Sequence, residues 1–270
     1  MDAILYAAGR GVRLGPLAAE CPKILIEVGG RTLLERHAEL LAWAGVERLH
    51  VVTGHLRETV AREMESVTRR TGFEILEIFN SAYTEGSVIS MAASLPLIRR
   101  SGDSILLLDG DVLYDHRLMA RLVNAPSGST LLIDRGYSTA DDDPVLVPIV
   151  AGKPVEFRKK WVGQADVVGE SIGFFKMDRA GMEGVIRETE ARLEGERRRE
   201  SYDEVIRALV LAGGFGFDDV TGLPWTEIDF PEDIAFANES VLPRLESVPD
   251  HPARRIAPHD LAASGGRFTA

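Results

Sequence analysis

Two kinds of charged group stand at the ends of apolar runs in this 270-residue chain, and each has its own chemistry. The first is cationic and rich in glycine. Residues 3–7 are apolar and lead into Tyr6-Ala7-Ala8-Gly9-Arg10-Gly11-Val12-Arg13-Leu14-Gly15-Pro16. Small residues and glycines therefore fall at the carboxyl end of a strand, where α/β sheets bind ligands. Backbone N–H groups in such a turn can approach phosphates closely. Arg10, Arg13 and, after Cys21-Pro22, Lys23 supply the charge to neutralise a triphosphate. A Rossmann fingerprint would need glycine where Leu14 stands and a helix at once, and a Walker A run is absent. The second kind is acidic. Leu106-Leu107-Leu108-Asp109-Gly110-Asp111-Val112 ends an apolar run in two acids, and Trp225-Thr226-Glu227-Ile228-Asp229-Phe230-Pro231-Glu232-Asp233 does so again far along the chain. Such carboxylates suit a hard, oxygen-ligated ion such as Mg²⁺, although Asp-Gly-Asp alone would read equally as turn chemistry. The strand period puts Glu227 and Asp229 on one face, whereas Glu232 and Asp233 suit a helix start.

These groups must be positioned by alternating strands and amphipathic helices. Apolar runs at 3–7, 48–53, 74–79 and 104–109 alternate with helical stretches at 33–44, 56–70 and 87–95. That order is βαβαβαβ, a Rossmann-like, mostly parallel central sheet flanked by helices. Thr32 with Glu35 forms a capping box that starts the first helix, leaving 9–30 as a long loop, and loops of that length are commonly functional. Runs at 131–134, 145–150, 155–158 and 171–175 predict a β-rich insertion, followed by helices over 179–199 and 201–212, a strand over 225–229 and a closing helix over 232–245. The charge run 194–200 reads as a solvated helix end. Residues 1–246 thus form one domain of two halves, 1–128 and 129–246. From 247 to 270, Pro249, Pro252 and Pro258 with few large apolar residues predict a loosely held tail.

Composition narrows the function. With 31 Lys+Arg against 42 Asp+Glu the net charge is −11, which argues against nucleic acid as a partner. The single cysteine, Cys21, excludes an internal disulfide and a cysteine-built zinc site and fits a reducing compartment. The sequence shows no signal peptide and no apolar run of membrane-spanning length, so a cytoplasmic protein is expected. The same helices could cover a homodimer interface or face water.

Ala7-Ala8-Gly9-Arg10-Gly11-Val12-Arg13, followed by Pro22-Lys23-Ile24-Leu25-Ile26-Glu27-Val28-Gly29-Gly30-Arg31-Thr32-Leu33, resembles the signature of the nucleotidyltransferases that make activated sugars and alcohols. Cys21 departs from it, since threonine is commoner there. The resemblance implies the nucleotide-diphospho-sugar transferase fold, with nucleotide in the first half and acceptor in the second. It implies that the Ala7-Ala8-Gly9 backbone lies against base and ribose, with Arg10 and Gly11 in the same loop, and that Arg13 and Lys23 hold phosphates. It implies Asp111 and Asp229 as ligands of Mg²⁺ and Asp109 among the nucleotide-binding residues, and Glu227, on the same strand face as Asp229, is a candidate further ligand. Gly86 and Ser87, in Asn80-Ser81-Ala82-Tyr83-Thr84-Glu85-Gly86-Ser87, look most like the branch that uses CTP, which includes the phosphocholine, inositol-1-phosphate and aminoethylphosphonate cytidylyltransferases. Echoes at Gly169-Glu170-Ser171-Ile172-Gly173, Tyr202-Asp203-Glu204 and Val220-Thr221-Gly222 extend it from Ala3 to about Leu245.

The implied reaction transfers CMP from CTP to the phosphate or phosphonate of a small alcohol and releases pyrophosphate, with Lys23, Arg13 and Asp111 as the catalytic residues. A phosphomonoester is largely dianionic at neutral pH, so it needs no general base. The acceptor phosphate needs its own cations, and Glu156-Phe157-Arg158-Lys159-Lys160-Trp161 and Arg135 are the candidates, with Glu170 near them. Trp161, Tyr202 and Trp225 are candidates for an aromatic cage around a quaternary ammonium. Three rivals stand beside this reading. A sugar-1-phosphate nucleotidyltransferase using UTP, dTTP or GTP shares the loop and metal motifs. Gly169-Glu170-Ser171-Ile172-Gly173 matches a serine-hydrolase elbow with Ser171 as nucleophile, but Phe174-Phe175-Lys176-Met177 continues as strand and the downstream histidines, His251 and His259, lie in the tail. A non-catalytic nucleotide-binding module is the third.

Overall fold

The computed structural model describes residues 1–126, 128–137 and 144–248. β1 (Asp2–Tyr6) opens the chain, and the loop after it winds into 3-10 turns at Val12–Ala19 and Lys23–Leu25 before a small ribbon of β2 (Glu27–Val28) and β3 (Arg31–Thr32). α1 (Leu33–Trp43) starts where the capping pattern predicts, with the Glu35 N–H donating to the Thr32 hydroxyl at 3.1 Å. β4 (Arg48–Thr53), α2 (Arg57–Thr71), β5 (Glu74–Phe79), α3 (Ser87–Arg100) and β6 (Ser104–Asp109) complete the alternating half. Then come β7 (Val112–Tyr114), α4 (His116–Val123), β8 (Ser129–Asp134), β9 (Leu146–Val150), β10 (Lys153–Pro154) and β11 (Val167–Asp178). The chain closes through α5 (Arg179–Glu190), α6 (Asp203–Leu211), β12 (Phe215–Asp219), β13 (Trp225–Glu227), α7 (Pro231–Phe236) and α8 (Leu242–Ser247).

The central sheet runs β10-β9-β11-β6-β1-β4-β5, with β8 added to β11 and β12 to β8. β6, β1, β4 and β5 are parallel, and β11 reverses the direction beside β6. Alternate residues of the parallel strands feed opposite cores, as the pleat requires. Ala3, Leu5, Val51, Leu106 and Leu108 join the core that includes Leu41 and Val60 of α1 and α2, while Ile4, Val52, Ile105 and Leu107 join the one that includes Met91, Val185 and Ile206 of α3, α5 and α6. Burying each such leucine completely is worth about 1.5–3 kcal/mol. A third, smaller core ties Leu14 and Val28 of the glycine-loop region to Ile228, Val241 and Leu245 near the carboxyl end.

Three expected elements come out differently. The helix over 179–199 stops at Glu190, because the chain turns at Gly195 (φ 63°) and the buried Arg192 is held by Glu188 and Glu200. The charge run is solvent-facing as expected, with none of Gly195–Arg199 buried, but it forms a separate 3-10 turn beside α3 and not the end of a helix. The strand expected over 155–158 is reduced to one bridge, Arg158 to Leu146, because Phe157 turns into the core. The closing helix breaks into α7, a π turn at Ala237–Val241 and α8, where Pro243 removes a donor. The predicted tail from 249 onward, including His251 and His259, lies outside the described residues, as do 138–143.

Candidate nucleotide and metal site

The two acidic motifs, distant in sequence, meet through a ribbon. β13 pairs antiparallel with β7, Glu227 opposite Val112 and Trp225 opposite Tyr114, and the ladder continues in an Ile228 N–H to Asp111 carbonyl bond of 3.0 Å. Asp111 immediately precedes β7 and Asp229 shortly follows β13, so antiparallel pairing brings both to the same end of the ribbon. Asp229 is then fixed from behind. Asp233, in the first turn of α7, accepts the backbone N–H groups of Asp229 at 2.8 Å and of Phe230 at 2.7 Å. Pro231 at the start of that helix pre-sets its φ.

The cations converge on this pair. Lys23 Nζ lies 2.9 Å from Asp111 Oδ2 and also bonds Asp229 Oδ1, and Arg13 Nη2 lies 2.8 Å from Asp229 Oδ2. Burial works against the Lys23 ammonium, but Asp111 and Asp229 outweigh it and hold its pKa above the ordinary lysine value. The glycine loop and the acid turn touch directly, because a Cβ on Gly110 would stand 2.9 Å from the Tyr6 carbonyl and 3.2 Å from Ala7 Cβ. Asp109 sits deeper. Tyr202 Oη donates to it at 2.5 Å, and Gly173 (φ 74°), on an irregular stretch of β11, leaves the space its other oxygen fills. Burial, then the charge of Asp111, pushes Asp109 well above the usual carboxylate range, with the Tyr202 bond opposing. Glu227 is raised in the same way, by burial first and then by Asp111, Asp109, Asp229 and Glu170.

A cleft of about 760 Å³ opens over these groups, spanning the end of β6 and the β8, β11 and β13 region. Arg13, Ser87, Asp109, Asp111, Glu227 and Asp229 line it. So do Lys159, Glu170, Tyr202 and Trp225 of the expected acceptor set, whereas Arg135, Lys160 and Trp161 are not among its lining residues. Arg135 pairs instead with Asp219 at 2.6 Å, Lys160 is exposed, and Trp161 covers Gly163. The three-ring cage is therefore not assembled: Tyr202 stacks on Tyr6 at 5.4 Å and Trp225 Nε1 donates to Asp134 at 2.8 Å. Ser87 Oγ accepts the Tyr202 N–H at 2.9 Å, and the Glu200 carbonyl accepts the Val88 N–H at 3.2 Å. The Gly86-Ser87 turn is thus clasped by the 200–202 segment, a role that charge patterning alone did not reveal. Ala8 meets His55 through a 3.1 Å backbone bond, and Gly9 and Arg10 are exposed.

The donor set suits a hard divalent ion, since Asp111 and Asp229 aim carboxylate oxygens at one point where a cation already sits. Among the described residues no three of His, Cys, Asp and Glu gather as a metal-ligating group. Glu227, the candidate further ligand, ends β13 and lies within electrostatic reach of Asp111 and Asp229. The hydrolase elbow is overturned: Ser171 lies within β11, which runs on as strand to Asp178. Sequence reasoning missed Asp233, Asp134 and Tyr6. An acid two residues after Pro231 was the available signal for the first, and nothing in pattern marked the others.

A model of the MobA-like NTP transferase domain matches residues 3–171, and the chain belongs to that family. It is 30% identical over 260 residues to a bifunctional IPC transferase and DIPP synthase of Rubrobacter xylanophilus, covering 94% of this chain and 55% of that protein. It is also 30% identical over 247 residues to the CMP-5'-(3-aminopropyl)phosphonate synthase of Streptomyces rubellomurinus, covering 86% of this chain and 37% of that protein. The chain therefore spans about half or less of the length of these curated relatives. Its fold matches the inositol-1-phosphate CTP transferase of T. maritima with a TM-score of 0.69 at 21% identity, over 89% of this chain and 97% of that one. Among the described residues no helix is long and apolar enough to cross a membrane.

Proposed function

We propose that this chain is a cytidylyltransferase, moving CMP from CTP to the phosphate or phosphonate of a small alcohol. The convergence of Lys23, Arg13, Asp111 and Asp229, the last three of which line the cleft, carries the reading. The 30% likeness to proteins named for an IPC transferase and an aminopropylphosphonate CMP ester supports CTP and a phosphorylated alcohol. An acceptor oxygen attacks the α-phosphorus, the bond to the β-phosphate oxygen breaks, and pyrophosphate leaves. Arg13 and Lys23 hold the triphosphate and offset charge as it accumulates on the leaving group. Asp111 and Asp229 are the proposed holders of Mg²⁺, which would supply electrostatic stabilisation to the phosphates. Asp233 keeps Asp229 oriented, and Ser87 with the 200–202 segment forms the wall on the nucleotide side. Lys159, the one cation of the expected acceptor set that lines the cleft, is the proposed partner of the acceptor phosphate. The reading carries with it a cytoplasmic setting, where nucleoside triphosphates are made.

The test is pyrophosphate release with Mg²⁺, four nucleoside triphosphates and a panel of phosphocholine, inositol-1-phosphate, aminoethylphosphonate and sugar-1-phosphates. Turnover with CTP and one phospho- or phosphono-alcohol is the expected result. Turnover confined to a sugar-1-phosphate with UTP, dTTP or GTP would replace it with the sugar-nucleotide reading.

A further inference from the structure

The carboxylates assigned to the metal are already neutralised by the chain itself. Both oxygens of Asp229 are taken, Oδ1 by Lys23 and Oδ2 by Arg13, and Asp111 Oδ2 is taken by the same lysine. The Lys23–Asp229 contact is confined, with side-chain exposures of 16% and 15%, while Arg13 reaches Asp229 from a more open position at 46%. The Lys23 stem passes close over Gly11 (φ 59°), where an added Cβ would stand 3.0 Å from Lys23 Cγ. Arg13 packs over the Phe230 ring at 5.5 Å, next to Asp229 in sequence. A bare divalent ion entering here would have to displace two cations and leave a half-buried ammonium and a guanidinium without counter-charge, which is costly. An ion arriving on a triphosphate brings the replacement partners with it. Lys23 and Arg13 can then exchange carboxylate oxygens for phosphate oxygens, so that each charge keeps a partner throughout.

We infer that Lys23 and Arg13 act as resident counter-ions of the Asp111–Asp229 pair, closing it to free divalent metal and opening it only to a metal–nucleotide complex. The inference rests on the proposed ligand pair, and the site's ligand is then the metal–nucleotide complex as one unit. It also gives Lys23 a second task that phosphate binding alone would not require. Mn²⁺ binding, read by electron paramagnetic resonance, tests it on the wild-type chain with and without non-reactive α,β-methylene analogues of all four nucleoside triphosphates. Expected are weak binding of Mn²⁺ alone and at least tenfold tighter binding with one analogue. Lys23→Met, neutral and of similar length, should bind Mn²⁺ alone at least tenfold more tightly than wild type while losing affinity for the analogue. Arg13→Gln, which frees only Asp229 Oδ2, should move the same way by less and stands in if Lys23→Met does not fold. Equal Mn²⁺ affinity with and without every analogue, or no gain in either variant, overturns the inference. If wild-type binding with the analogue survives Asp229→Asn, the ligand pair itself is wrong and the inference falls with it. A gain with an analogue other than that of CTP would sustain the inference while refuting the cytidylyl reading.

Discussion

Asp229 and Asp233 divide one task between them, so their variants should separate. On the proposed reading Asp229→Asn removes a charge that holds the metal against the phosphates, and pyrophosphate release is expected to fall by about a hundredfold or more, as when a transition-state stabilising group is lost. Asp233→Ala removes only the anchor of the Asp229 and Phe230 N–H groups. It should cost about 1 kcal/mol of stability as a lost helix cap, seen in urea unfolding, with a smaller fall in turnover. A different residue beneath the acid turn sets a pH effect. His37 is fully buried against Tyr114 and Phe174, at ring distances of 5.2 and 6.2 Å, and burial lowers its pKa to about 4, with Asp111 opposing. The unfolded imidazole protonates near 6.5. As pH falls below that value the unfolded chain takes up the proton first, so stability is lost between about 6.5 and 4 and the loss levels off below. The full effect is on the order of 3 kcal/mol. His37→Phe should therefore show a smaller drop in denaturation midpoint between pH 7 and pH 4.5 than wild type; equal drops would rule the effect out. The chemistry-bearing residues Arg13, Lys23, Asp111 and Asp229 were readable in sequence because each stands in a motif. Tyr6 and Asp134 were not, because aromatic stacking and a bond to an indole leave no spacing rule.

The irregular stretch of β11 shows how one element shapes another's functional group. Its register shifts between Ser171 and Phe175, and Gly173 takes the left-handed conformation against Asp109. A Cβ at that position would lie 2.2 Å from Asp109 Oδ2. Gly173→Ala combines that collision with an unfavourable φ, so a loss of about 1–3 kcal/mol is expected in thermal unfolding, together with reduced turnover. An unchanged melting temperature would show that Asp109 swings aside freely. Strands and helices with clear periodicity, β1, β4, β5 and β6 with α1 through α3, were legible because local pattern and burial agree, whereas the two-residue β2 and β3 fell within or just after the expected loop. The 155–158 and 179–199 segments were not, since a core-seeking Phe157 and a buried Arg192 answer to distant partners rather than to their neighbours.

At the scale of the molecule the cleft draws lining residues from both halves, so its ligand should fasten them together. A metal–nucleotide complex at a hundred times its dissociation constant adds about 2.7 kcal/mol. For a chain of this size that corresponds to a rise of about 5–10 °C in melting temperature. Chelator or Mg²⁺ without nucleotide should leave the melting temperature where it is, and a large Mg²⁺ effect alone would contradict the closed carboxylate pair. The mostly parallel sheet flanked by helices was readable from alternation of elements, whereas its strand order and the union of residues 206 positions apart at Lys23 and Asp229 were not. That union has a consequence for biosynthesis. The β7–β13 ribbon cannot form until Trp225–Glu227 has left the ribosome, and at about 5–20 residues per second the nascent chain spends about 3–10 s with β1 to β11 made and Asp229 still missing. A nascent or truncated chain ending before that strand would have its glycine loop and first acid turn yet no paired carboxylates.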